Sequence, residues 1–412
     1  MPIAPLRGDG NAGEPSGTAR RSLLRALGAV APVASLGTGC TTPASSSAYE
    51  LPPEAAPAAP AGEKRGRTLD FGLAYSDTLP WMSDADLGRA LDDAVGLGVS
   101  WIRADLAWTN IQPDSPSQYL WERFDRVADA ARQRKLKVLA TLGFTPRWAR
   151  DLACADKNQS CPPASEARFA RFVTEAVTRY ARRGVRTWQI WNEPNISRFW
   201  PEGADPARYA GIARAVSAAV RAVDPGAFLL LGGLANIPTT DGGRRLSAVD
   251  FLDRALDHGA GERMDAISFH PFTTDLLFST KTGDSPYERI TGARRSLSSV
   301  LARHRRTDLE IWLTETGAPT HGPGTIADSE HPGVRTTHAT HAHQARIAAD
   351  VITAADRLTA VTKVFWYAHR DTEPPSANGG RHHYYGLIEH TGAQKPAYSA
   401  YRDAIAAYRA AH

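Results

Sequence analysis

Only three cysteines occur in 412 residues, so the chain is not built on a disulfide framework. An excess of one charge is missing too: 48 Lys and Arg face 44 Asp and Glu, a formal net charge of +4. No Lys/Arg block resembles a nucleic-acid arm. The arginines are scattered along helical segments and read as solvated helix faces, so no nucleic-acid partner is expected. No apolar run reaches the about 20 residues of a confident membrane span. No glycine-rich loop opening a helix follows the first strand candidate, which disfavours a dinucleotide site; no cofactor is expected. What remains is an ordinary globular composition, with 42% hydrophobic and 22% charged residues, long enough for one large domain.

The N-terminal 1–40 stretch has the features of a targeting signal. Arg20-Arg21 precedes Ser22-Leu23-Leu24-Arg25 as in a twin-arginine signal, and a short run of small and apolar residues follows. Cys40 comes after Leu36-Gly37-Thr38-Gly39, a match to a lipoprotein cleavage box with the leucine one position too far away. Lipidation of Cys40 is expected, with plain cleavage and secretion as its rival. Residues 41–66 are rich in Pro, Ala and Ser and read as a flexible tether. The expected location is therefore extracytoplasmic, with membrane contact only through a lipid on Cys40, and the expected state is a monomer. Cys154 and Cys161 agree with export. They share the loop LACADKNQSCPP and suit a small disulfide, while zinc would need a second ligand pair.

The domain at 67–412 alternates short apolar runs with Ala/Arg-rich amphipathic segments. Strand candidates cover 69–75, 99–108, 136–144, 185–192, 227–235, 264–272, 309–316 and 362–369. Between them lie segments such as 167–184, where Phe169, Phe172, Val173, Ala176, Val177 and Tyr180 recur at helical spacing and Gly184 supplies a stop. Asp84 is the expected cap of an earlier helix that Gly98 ends. Strict alternation implies a parallel sheet covered on its outer face. Eight units predict an α/β fold, a single-domain (β/α)8 TIM barrel, over an open doubly wound sheet.

Barrel enzymes keep their chemistry at the C-terminal ends of the strands. There the sequence places Arg103 after strand two, Phe144 and Trp148 after strand three, and Asn192-Glu193 after strand four, where Pro194 stops the strand. Asn236 follows strand five, His270 ends strand six, Glu315 ends strand seven, and Trp366 and His369 end strand eight. Two glutamates at the ends of apolar strands are expensive to bury unless they do chemistry or are paired. The chemistry they suit is glycoside hydrolysis, in which one carboxyl group protonates the leaving oxygen and the other attacks the anomeric carbon. Asn192 suits a sugar hydroxyl, Arg103 and His270 can support an ionised nucleophile, and Trp148, Trp200 and Trp366 offer faces for sugar stacking.

WNEPN at 191–195, SFHPF at 268–272, WLTETG at 312–317 and FWYAH at 365–369 together resemble the clan A glycoside hydrolases. TLGFTPRWA at 141–149 and the YYGLI and QKPAY segments near the end are most similar to glycoside hydrolase family 39 and cellulase-like chains. The likeness covers roughly 69–408. It implies a retaining barrel enzyme acting on a carbohydrate, with Glu193 as acid/base, Glu315 as nucleophile and Asn192 as sugar-hydroxyl donor. It also implies Trp366 in the floor of the −1 subsite and Arg103 and His270 beside the nucleophile. One departure favours the family 39 branch: the histidine of the cellulase pattern after strand three is replaced by Phe144-Thr145.

Other features carry less. The long loop from Ala318 to Thr337 reads as a cleft wall. His338, His341 and His343 begin a predicted helix with no carboxylates to complete a set, so no metal site is expected. The segments 241–245 and 376–383 read as exposed loops, the second placed to reach substrate. Two rivals stand beside the exported glycosidase: a non-catalytic carbohydrate-binding lipoprotein on the same scaffold, and a metal-dependent hydrolase using the histidine-rich loop.

Overall fold

The computed structural model describes residues 68–283, 285–330, 336–376 and 379–412. The export signal read at 1–40, Cys40 and the tether read at 41–66 lie outside the described residues. Eight parallel strands close a barrel: β1 (Asp70–Ser76), β2 (Trp101–Ala107), β3 (Lys137–Gly143), β4 (Thr187–Asn192), β5 (Phe228–Ala235), β6 (Ala266–His270), β7 (Glu310–Thr316) and β8 (Val361–Tyr367). Each strand pairs with the next in sequence, and β8 returns to pair with β1, Gly72 opposite Phe365. Every strand expected from the apolar runs is present, its ends within two residues of the prediction.

Helices cover the barrel because their apolar faces need the outward side chains of the strands. Val138, Ala140 and Leu142 of β3 and Trp188 and Ile190 of β4 face outward into that shell. Side-chain oxygens of Ser83, Ser165, Ser247 and Thr340 cap four of the helices by accepting from the backbone N–H three residues on. Asp84, expected as a cap, is instead the first residue of helix Asp84–Gly96. Ser83 takes the cap, and the Asp84 carboxylate sits where the helix dipole favours negative charge. Among the described residues no helix is long and apolar enough to cross a membrane.

The inward residues form layers. Trp101, Leu139, Leu230, Ala266, Trp312 and Phe365 fill the lower barrel, with the rings of Trp101 and Trp312 edge to face at 5.3 Å. One step nearer the C-terminal mouth the filling turns polar. Arg103 of β2, Gln189 of β4 and Ser268 of β6 meet there, with Arg103 Nε and the Ser268 hydroxyl donating to Gln189 Oε1 at 3.3 and 3.2 Å. A dry plug thus carries a buried polar platform, and the platform holds the mouth residues in place.

The last helix, Pro396–Ala411, closes the seam between first and last strands. Tyr401 shares its hydroxyl proton between Gly72 O of β1 and Val364 O of β8, at 3.2 and 3.3 Å. The Tyr408 hydroxyl accepts from Leu69 N at 2.7 Å. Just before this helix, Lys395 is only 2% exposed. Its ammonium donates to Asp371 Oδ1 at 2.8 Å, to the Thr320 hydroxyl at 2.9 Å and to Tyr384 O at 3.3 Å. One cation therefore ties the loop after β7 to the loop after β8. Removing it with Lys395→Met strands Asp371 as a buried charge, and a loss of about 3–5 kcal/mol is expected in urea unfolding. A double variant that also replaces Asp371 by leucine recovers most of the loss; equal instability in both would contradict this account.

The structure joins Cys154 and Cys161 in a disulfide, their Cα atoms 5.6 Å apart. The histidines after β7 do not start one helix together. His338 lies in a two-residue strand, His338–Ala339, paired with Ile326–Ala327, and His341 opens helix His341–Asp356. His343 is fully buried on that helix.

Candidate active site

β4 ends in a distorted backbone. Trp191 has φ 72° and Glu193 φ 41°, a left-handed conformation that a side chain makes costly. Local bonds hold it: Glu193 N donates to Gly233 O at 2.8 Å, and Gln189 Nε2 donates to Trp191 O at 2.9 Å. Asn195 staples the turn to β5, with its amide donating to Ala235 O and its carbonyl accepting from Ala235 N. The second asparagine of WNEPN is therefore structural, while the first faces the site.

Arg103 organises what faces inward. Its guanidinium donates to Glu315 Oε1 at 2.5 Å and to Asn192 Oδ1 at 2.7 Å. Asn192 thus spends its carbonyl on the protein and keeps its amide donors for a ligand. Glu315 Oε2 is left clear of the guanidinium, 3.7 Å from His270 Nδ1. His270 lies nearer the other glutamate: Nδ1 is 2.9 Å from Glu193 Oε1, and Nε2 is 3.0 Å from the Thr314 hydroxyl. His270, expected beside the nucleophile, does lie near Glu315, but its shorter contact is to Glu193. Gly233 makes this possible, since a Cβ there would lie 2.0 Å from His270 Nε2.

Burial sets the protonation states. It raises Glu193 to about 7, against the pull of Arg198 and Arg103. It lowers His270 to about 4, leaving a neutral imidazole between the glutamates. It also raises Glu315, opposed by His270 and by the guanidinium bonded to it. A carboxylate oxygen of each glutamate and a nitrogen of His270 lie within 4.8 Å of one another. Within this site these three could hold a metal, but a cation there would have to compete with Arg103 for Glu315. The arrangement suits proton transfer beside a fixed carboxylate.

Glu193, Glu315, Asn192 and His270 line a cavity of about 720 Å³ at the C-terminal mouth. The three tryptophans expected to stack on sugar are not among the residues lining this cavity. Trp366 is 0% exposed, donates Nε1 to Tyr385 O at 3.2 Å and packs on Tyr401 of the last helix. Its place in the strand explains this: Phe365 points into the barrel, so Trp366 points out and Tyr367 in. Trp200 is buried edge-on against Trp191 and Tyr209. Trp148 donates Nε1 to Gln112 O at 2.9 Å and borders a separate groove with Trp108 and Tyr119. The aromatic rings that line the cavity are Phe144, Phe199, Phe272, Tyr367 and Tyr385, and the last three cluster with centroids 5.2 to 5.8 Å apart. The reading of the sequence missed the two tyrosines, although alternation along β8 marks Tyr367. From the two loops read as exposed, Arg245 and Arg381 with His382 reach the cavity wall.

The family model of cellulase (glycosyl hydrolase family 5) matches residues 64–349. A beta-xylosidase of Caldicellulosiruptor saccharolyticus is 26% identical over 194 residues, which is 44% of this chain and 37% of that protein. Among solved structures, a family 39 glycoside hydrolase from Bacteroides cellulosilyticus WH2 superposes with a TM-score of 0.57 at 22% identity, covering 82% of this chain and 63% of that one. A GH5_18 enzyme from Streptomyces cattleya, in complex with GlcNAc, gives a TM-score of 0.60 at 19% identity, covering 83% and 81%. The chain thus spans well under half of the xylosidase, and at these identities the structural likeness speaks for the fold alone.

Proposed function

From the premise that this chain belongs to the cellulase family, glycosyl hydrolase family 5, and is a glycosidase, we propose that it is a retaining enzyme with Glu315 as nucleophile and Glu193 as acid/base. The observation that carries this is the buried pair itself: oxygens of the two carboxyl groups within 4.8 Å, with Arg103 on only one of them. Retaining enzymes hold their carboxyl groups about 5–5.5 Å apart, whereas inverting ones leave about 6.5–9.5 Å for a water.

In the first step Glu315 Oε2 forms a bond to the anomeric carbon as the bond to the leaving oxygen breaks, and Glu193 passes its proton to that oxygen. The product is a glycosyl ester on Glu315. Esterification removes a negative charge beside Glu193, which eases its change to base. In the second step Glu193 takes a proton from water, the water oxygen attacks the anomeric carbon, and Glu315 leaves as carboxylate. Arg103 keeps Glu315 in place and favours its ionised form before the ester forms and after it is released, and Asn192 donates to the hydroxyl next to the reacting carbon.

Glu193 must carry a proton to begin, so kcat/KM should fall as pH rises through about 7, where its proton is lost. The measurement is a pH profile on aryl β-glycosides with poor leaving groups, xylosides and N-acetylglucosaminides among them. Activity that stays flat to about pH 9 would remove Glu193 from the role.

The disulfide between Cys154 and Cys161 supports the further proposal of an extracytoplasmic enzyme, because such bonds persist in oxidising compartments. A non-catalytic sugar-binding lipoprotein is the poorer reading. It would have no use for a buried Glu193 whose proton is held to about pH 7.

A further inference from the structure

The double displacement accounts for the floor of the cavity, and the rim carries a charge pattern of its own. Three arginines line the cavity from three different loops: Arg198 after β4, Arg245 after β5 and Arg381 after β8. Arg198 and Arg381 are exposed and Arg245 is half-buried. The Arg198 guanidinium lies 5.7 Å from the ring centroid of Phe199, itself a lining residue. None of the three arginines forms an ion pair among the described residues. On the flanks of the barrel arginines do find aspartates, as Arg208 finds Asp151 at 2.6 Å and Arg183 finds Asp129 at 2.7 Å.

The acids of the cavity are disposed differently. Asp77, just after β1, accepts from Asn110 Nδ2 at 2.8 Å and from Trp81 Nε1 at 3.2 Å, and Asp105 of β2 is 5% exposed. Glu315 is matched by Arg103 at 2.5 Å, and Glu193 begins the reaction with its proton on. Asp77 and Asp105 therefore sit at the first two strands, while the arginines span the arc of the barrel from β4 to β8. Within that arc Asp275, after β6, is half-buried and forms no ion pair among the described residues. Three arginines against this one aspartate leave the rim positive. Like charges gathered around one concave mouth repel one another, and an anion bound between them offsets that repulsion.

Resting on the glycosidase reading above, we propose that the substrate is an acidic glycan, whose sugars beside the reacting one carry carboxylate or sulfate groups bound by Arg198, Arg245 and Arg381. The planar guanidinium fork matches the paired oxygens of either group. The reacting sugar itself needs no charge, because the arginines stand at the rim and the floor is set by Arg103, Gln189 and Asn192. A positive rim also draws an acidic chain towards the mouth over a distance that salt shortens.

The test follows hydrolysis of the aryl β-glycoside that the wild type cleaves best and adds oligosaccharide inhibitors in matched sets. Each set is a gluco-, galacto- or manno-oligosaccharide in three forms: neutral, oxidised to the uronate at C6, and sulfated at O6. In at least one set an acidic form should inhibit about tenfold or more tightly than its neutral parent. The tighter of the two acidic forms tells carboxylate from sulfate. The ratio of neutral to acidic inhibition constants should shrink as salt rises from about 0.01 M to about 1 M, where the screening length falls from about 30 to about 3 Å. It should fall about threefold or more in each of Arg198→Ala, Arg245→Ala and Arg381→Ala, with part of it recovered by lysine at the same position. The ratio is taken within one enzyme, so a changed catalytic rate does not enter it, and the lysine variants and the salt series carry the test if an alanine variant does not fold. Acidic forms that bind no better than their neutral parents in every set, or a preference that survives all three substitutions, overturn the proposal and leave the glycosidase reading intact. Failure of the wild type to cleave any glycoside sinks the glycosidase reading, and this one with it.

Discussion

Glu315→Ala should lose at least about 10⁴-fold in kcat, since the covalent ester forms on its carboxylate. Its carboxylate is placed by Arg103 at 2.5 Å, and the free oxygen faces the cavity. Truncation leaves an anion-sized gap beside a guanidinium that keeps its bonds to Asn192 and Gln189. Azide fits that gap in size and charge. With Glu193 still able to protonate the leaving oxygen, added azide should restore turnover and give a glycosyl azide of inverted configuration, read by NMR of the product. Wild-type-like hydrolysis by this variant would end the assignment of Glu315, and a retained azide would move the nucleophile's role elsewhere.

Loss of Glu193 should look different, and the difference separates the two glutamates. Glu193→Ala removes general acid help, worth about 10²–10⁴-fold where the leaving group needs a proton. A dinitrophenyl leaving group needs little help, so the glycosyl ester should still form and then persist for want of a base. Mass spectrometry should find the added sugar on Glu315. Azide now enters from the vacated Glu193 side and attacks the ester, so its product should keep the configuration of the substrate. The basic limb of the pH profile should vanish with the side chain. A variant equally slow on good and poor leaving groups would leave Glu193 with a structural role through its 2.9 Å contact with His270.

The sequence made the barrel legible because its signal repeats. Eight apolar runs spaced by amphipathic helices leave few alternatives, and reading their C-terminal ends reached Arg103, Asn192, Glu193, His270 and Glu315, which the fold brings together. What it misread was direction. The ring of Trp366 draws attention in the sequence, but Phe365 fixes the inward phase of β8, and Tyr367 holds the place. Asp105, which also lines the cavity, goes unmarked for a related reason: it shares the inward phase of Arg103 but follows no motif. Trp148 and Trp200 sit on irregular segments, where no period tells which way a ring turns; the folded chain leaves Trp148 half-buried against Trp108 and buries Trp200 against Trp191 and Tyr209. The corrections therefore fall on loops and strand phase, and the two carboxylates are unaffected by them.

The seam held by Tyr401 also bears on how the protein comes to be made. β1 leaves the ribosome long before β8, its partner in closing the barrel, and before the helix whose tyrosine bonds to both. Until then the nascent sheet has two bare edges, and such edges recruit foreign strands. Lys395, which draws the loops after β7 and β8 together, arrives at the same late moment. The cavity wall therefore cannot be complete before this last part of the fold is synthesised, so a nascent chain should gain ligand affinity and protease resistance together, in a single late step.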